Sequence, residues 1–168
     1  MPHLSTKTYG HENGLSCAFR QPNATHSHCS RIHGYALSFK FTFGCRELDD
    51  KNWAVDFGSL KKLKEWLEDN FDHTLAVDYA DPMKETLQDL ARYDIVKIRL
   101  FDGVGCEKFA EHAFCYADRL IDEMTDGRCF VESCEVSEHG ANSAIYTPYY
   151  VKRERFVGVN DYGTSRPE

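Results

Sequence analysis

From Tyr35 to Phe43 every second residue is apolar: Tyr35, Leu37, Phe39, Phe41 and Phe43 alternate with smaller or polar positions. A period of two sustained this long predicts a strand with one buried face. A shorter copy of the pattern puts Leu15, Cys17 and Phe19 on one face of a strand, and residues 95–101 supply a third strand. The period then changes. Leu60, Leu63, Leu67 and Phe71 recur at helical spacing, with Lys61, Lys62, Lys64 and Glu68 on other faces and Ser59 as N-cap. Residues 107–124 form a second helix, whose stripe of Phe109, Ala113, Phe114, Ala117, Leu120, Ile121 and Met124 stops at Asp126-Gly127. Residues 129–136 and 143–146 read as a closing hairpin around His139-Gly-Ala-Asn142. Strands flanking helices in this order predict an α+β domain, an antiparallel sheet with two helices on one face. It occupies residues 1–148, and residues 149–168 are a polar C-terminal tail.

Composition narrows the function. A chain of 168 residues, 42% hydrophobic, builds one core and is short for two. With 27 acids against 20 bases, it lacks the basic surface of a general nucleic-acid binder. An anionic ligand would have to meet a local group of bases such as Arg20, Arg31 and Lys40. No uncharged run reaches membrane-spanning length and no export signal stands at the N-terminus. The seven cysteines include no CxxC pair, so the expectation is a cytoplasmic protein with reduced thiols.

The chemistry-bearing residues are unevenly spread. His26, His28 and His33 surround Cys29 in a polar connection between strands, a setting in which neighbouring positive charge favours a thiolate. Asp72 precedes His73 at the end of the first helix, and a carboxylate beside an imidazole orients it for proton transfer. Glu107 opens the second helix and Glu138 ends a strand.

Cys29-Ser-Arg-Ile-His33-Gly34 is similar to the Cys-x-x-x-His-Gly-His segment of the 6-pyruvoyltetrahydropterin and 6-carboxytetrahydropterin synthase family. Val55-Asp56-Phe57-Gly58, Phe71-Asp72-His73-Thr74, Gly105-Cys106-Glu107 and Val136-Ser137-Glu138 resemble its later segments in the same order. The resemblance implies a T-fold (tunnelling fold) subunit: an antiparallel four-stranded sheet with two helices, closing into trimeric barrels that pair as hexamers, with active sites between subunits. It implies a lyase acting on 7,8-dihydroneopterin triphosphate, on a route to 7-deazaguanines such as queuosine. Zinc would polarise the side-chain hydroxyls. Carried over residue by residue, Cys29 moves protons with Asp72 and His73 as its relay, and Glu138 anchors the pterin ring with Glu107 close by. Arg20 is the candidate for the phosphates. The carboxy-forming and pyruvoyl-forming reactions need the same groups and are not separated.

The chain departs from the family at the metal. Two of the three family histidines are replaced, by Phe19 and Tyr35, and only His33 stands in place. Either His33 and His28, with Cys17 or His26, rebuild a zinc site, or the pocket keeps pterin or purine binding without metal and without lyase activity. A purely structural oligomeric subunit is the third reading.

Overall fold

The alternating run around Phe39 becomes the spine of the molecule. The computed structural model describes residues 3–148. It opens with β1 (His3–Tyr9), β2 (Leu15–Phe19) and β3 (His33–Cys45). Leu37, Phe39, Phe41 and Phe43 share one face of β3 and are fully buried. β1 and β2 lie end to end along one side of β3, Tyr9 opposite Phe39 and Leu15 opposite Leu37. After α1 (Lys61–Phe71), the chain forms β4 (Thr74–Asp78), α2 (Lys84–Ala91), β5 (Lys97–Phe101) and α3 (Cys106–Met124). It ends in the hairpin of β6 (Cys129–His139) and β7 (Asn142–Tyr146), with β6 antiparallel to the other side of β3.

α1 and α3 cover the phenylalanine face. Trp66 of α1 stacks on Tyr116 of α3 with centroids 4.4 Å apart. Phe71 meets Phe39 at 4.8 Å and Phe109 at 5.2 Å. Each such ring removes a large apolar surface from water, which is the main term holding the layers together.

The described residues form a seven-stranded sheet in the order β5-β4-β2-β3-β6-β7, with β1 beside β3. The α+β class expected from the sequence holds. The four-stranded, purely antiparallel sheet with two helices on one face does not: β2, β4 and β5 run parallel, and α2 is a third helix. The physical reasons lie in the pattern. β4 is buried on both faces, because Ala76 joins the main core while Leu75 and Val77 pack with Leu87 of α2. A strand buried twice carries no alternation. β1 is a mostly polar strand lying on β3, and α2 buries one leucine. Ser59 is also not the cap of α1. Asp56 accepts from Gly58 N and from Ser59 Oγ, both at 2.8 Å, capping the short 3-10 turn Phe57–Ser59 ahead of the helix.

The guanidinium of Arg128 fixes the loop between β3 and α1, donating to Glu47 O and Ala54 O at 2.9 Å. Arg128→Met keeps the aliphatic stem and removes the donors. It is expected to lower the unfolding free energy by about 1 kcal/mol, the net worth of one or two such bonds, read as a lower urea midpoint at unchanged m-value. All seven cysteines are free and five are buried. Among the described residues no helix is long and apolar enough to cross a membrane. The tail at 149–168 lies outside the described residues.

Candidate functional site

Four element ends meet where β2 hands over to β3. Phe19 closes β2 and is the register partner of His33, which opens β3. The connection between them is tied down by its own backbone. Gln21 N donates to Cys29 O at 2.8 Å, Ser27 N to Ala24 O at 2.9 Å, and Arg31 N to His28 O at 3.0 Å. Ser27 Oγ accepts from Cys29 N at 3.2 Å, capping the 3-10 turn His28–Ser30. Cys29 is half-buried and is bonded through both its N–H and its carbonyl. Two glycines permit the close approach. A Cβ at Gly34 would lie 2.7 Å from Cys17 O, and one at Gly105, whose φ is +109°, would lie 2.7 Å from Gln21 Nε2.

Glu138 comes from the end of β6, and Cys106 is the first residue of α3. The Cys106 thiol lies within electrostatic range of the Glu138 carboxylate. Burial first, then the charges of Glu138 and Glu107, push that thiol up to about 12. Cys106 therefore keeps its proton at neutral pH. Glu107, also in the first turn of α3, reaches this group through its charge.

The ring of Tyr35 is held against the same group. Its centroid lies 6.3 Å from Phe19, 5.7 Å from His33 edge-on, and 6.0 Å from His139. Ionisation of its phenol is opposed by burial first, then by the charges of Glu138, Cys29 and Cys106. Cys29, Cys106 and Glu138 thus lie within electrostatic range of one phenol. The remaining core thiols are different in kind: burial pushes Cys17 up to about 12 and raises Cys134 further.

Asp72 and His73 form their own unit at the start of β4. His73 Nδ1 bonds Asp72 Oδ1 at 2.7 Å, and the imidazole is 86% exposed on a backbone with φ +51°. Histidine is among the side chains that adopt this left-handed backbone more readily than most. Thr74 pairs with Cys17 of β2, so the couple lies toward the opposite end of β2 from the Phe19–His33 pair. Among the described residues no hydrogen bond, ion pair or ring contact joins it to Cys29, Tyr35 or Glu138. The relay pair faces outward, away from the end of β2 where Phe19 meets His33.

Arg20 faces Asp81, its Nε 3.1 Å from Oδ2, with the aspartate side chain wholly buried. This is an ion pair without hydrogen-bond alignment, since neither atom has a partner in hydrogen-bond geometry. Asp81 in turn accepts from Met83 N at 2.8 Å and so anchors the entry to α2. The guanidinium that the sequence assigned to phosphate is thus engaged within the chain.

The donor set for zinc does not assemble in the chain. His28 lines a surface recess of about 540 Å³ with Thr25, His26, Ser27, Ser30 and Arg31. His33 is turned elsewhere, its ring 4.8 Å from Phe19 and its Nδ1 2.8 Å from Arg31 O. Among the described residues no three of His, Cys, Asp and Glu gather where they could hold one ion. A catalytic zinc needs three protein ligands beside its open position, so these residues do not fit it. Sequence reasoning named Cys106 only as part of a motif and passed over Tyr35 and His139 as site residues. The signal for Tyr35 was its place at a replaced ligand, and nothing in the pattern announced His139.

A family model described as 6-pyruvoyl tetrahydropterin synthase matches residues 10–148. The 6-carboxy-5,6,7,8-tetrahydropterin synthase of Bacillus subtilis is 30% identical over 123 residues, covering 73% of this chain and 76% of that protein. Among solved structures, an uncharacterized protein from Wolinella succinogenes matches with a TM-score of 0.71 at 16% identity, covering 88% of this chain and 99% of its own. The 6-pyruvoyltetrahydropterin synthase of Plasmodium vivax matches with a TM-score of 0.60 at 14% identity, over 86% of this chain and 97% of its own. At these identities the structural likeness speaks to the fold alone.

Proposed function

Because the chain belongs to the 6-pyruvoyl tetrahydropterin synthase family, we propose that it is a pterin-processing lyase acting on 7,8-dihydroneopterin triphosphate. The observation that carries this reading is the Tyr35 ring held by Phe19, His33 and His139, with Glu138, Cys29 and Cys106 near enough to act on its phenol. A carboxylate suits the guanidine-like edge of a pterin, accepting from its ring N–H and its amino group at once. Glu138 takes that role, with Glu107 adding negative potential. Cys29 then faces the C6 side chain and removes a proton there as a thiolate.

The relay pair comes from a neighbouring subunit. His73, exposed and oriented by Asp72, returns the proton to the substrate held by the next copy. Sheet edges support such an assembly. β5 and β7 are the outer strands, with Ile145 62% exposed on β7, and open edges of this kind call for pairing. Trimeric barrels joined as a hexamer would close them. No step is routed through zinc, because the donor set does not fit it.

A second reading is favoured by Phe19 and Tyr35: a pterin- or purine-binding protein of the same fold without lyase activity. Incubation with 7,8-dihydroneopterin triphosphate separates the two. The lyase reading expects release of triphosphate with a 6-pyruvoyl tetrahydropterin, or with a 6-carboxy tetrahydropterin and a two-carbon aldehyde from the rest of the side chain. Unchanged substrate in the presence of measurable pterin binding contradicts it and supports the second reading.

A further inference from the structure

The phosphates of the proposed substrate find no free cation in Arg20, which is held against the wholly buried Asp81. Along α1 and β5 the cations are likewise paired, Lys61 with Glu65, Lys64 with Glu68, and Lys97 and Arg99 with Asp69. The recess beside the 3-10 turn His28–Ser30 differs. Thr25, His26, Ser27, His28, Ser30 and Arg31 line it, with no carboxylate among them, in a chain of net charge -7. Among the described residues the side chains of His26, His28 and Arg31 make no hydrogen bond or ion pair, and the N–H groups of Thr25, His26 and His28 have no acceptor. Ser30 Oγ is engaged, donating to Ser27 O at 2.8 Å, whereas Ser27 Oγ only accepts and keeps its own proton to donate. A guanidinium, two imidazoles that each offer a ring N–H in either charge state, and free hydroxyls, with no negative charge on the same wall, suit an oxyanion.

We propose that this recess is a polyphosphate site that receives the triphosphate of the substrate, with Arg31 and His28 as its principal donors. The substrate assignment rests on the pterin reading above. Cys29 lies between His28 and Ser30, and its N–H and carbonyl are fixed by Ser27 Oγ and Gln21 N. A substrate whose C6 side chain faces Cys29 carries its phosphates at the outer end of that side chain, beside the residues that flank the cysteine. Hydrogen bonds from a guanidinium to phosphate are charge-assisted and can be bidentate. At an open surface they are weakened by salt. A free polyphosphate offers the same oxygens, and competition with the substrate distinguishes the two sources.

The test titrates inorganic triphosphate and neopterin, at low salt, into the wild type and a His28→Gln, Arg31→Gln double variant. Inorganic triphosphate is expected to bind the variant at least about tenfold more weakly, with neopterin unchanged within about twofold. It is also expected to inhibit wild-type turnover of 7,8-dihydroneopterin triphosphate competitively. Neopterin binding on the same preparation shows that the variant is folded. Absent binding of inorganic triphosphate to the wild type, equal affinity in the variant, or loss of both affinities together overturns the recess as its site. Binding that depends on His28 and Arg31 without competition overturns the substrate assignment and leaves a site for free polyphosphate. A wild type that neither binds neopterin nor turns over the substrate overturns the pterin reading and the substrate assignment with it, while the inorganic triphosphate titration still decides whether the recess holds an anion.

Discussion

Cys29→Ala is expected to lower turnover of 7,8-dihydroneopterin triphosphate by about 10²- to 10⁴-fold, the usual contribution of a positioned acid-base group. Neopterin affinity should remain within about threefold, a change of less than 1 kcal/mol. The separation of rate from binding follows from how the residue is held. The bonds that place it, Cys29 N to Ser27 Oγ and Gln21 N to Cys29 O, belong to the backbone and survive the substitution. Removing the sulfur therefore removes the chemistry without loosening the connection. Cys17 is the contrasting case: its thiol is 1% exposed and pushed up to about 12 by burial, so it has no thiolate to offer near neutral pH. Rapid-quench product analysis reads the rate, and a Cys29→Ala variant with full activity would end the proton-transfer role.

Glu138→Gln is expected to raise the neopterin dissociation constant by about 10- to 150-fold, corresponding to the 1.5–3 kcal/mol of hydrogen bonds to a charged group. The amide keeps the size of the carboxylate, so local packing is preserved. It loses the charge, and its NH₂ opposes a donor of the pterin edge with another donor. Fluorescence titration gives the constant. A change below about threefold would mean that the ring is anchored elsewhere.

How much of this could be read from the chain follows from where each signal lives. β2 and β3 were legible because one face of each is buried, so alternation survives in Leu15, Cys17 and Phe19 and in Leu37 through Phe43. α3 was legible because nineteen residues give a 3.6-residue period room to repeat. β4 was not, since Leu75, Ala76 and Val77 face two different layers and are all buried. α2 is short, and β1 offers only Leu4 and Tyr9 as apolar residues, of which Leu4 is exposed. At the site, local sequence placed Cys29, Asp72-His73 and Glu138 individually. That His73 turns outward at the end of β2 away from the Phe19–His33 pair depends on strand order, which no local pattern encodes. The Arg20–Asp81 pair depends on the same long-range pairing: β2 beside β4 brings position 20 to the turn after β4.

The account stands on a pocket completed by two copies of the chain. Its direct measurement is complementation between Cys29→Ala and His73→Ala chains, each inactive alone, co-expressed with different tags and purified as the mixed oligomer. Subunits sharing a site would regenerate an intact one wherever the His73→Ala chain lends its cysteine and the Cys29→Ala chain its histidine. In a random mixture about a quarter of the junctions of a cyclic oligomer are of this kind, and activity near that fraction of wild type is the predicted result. A mixed oligomer as inactive as its parents would contradict the shared pocket.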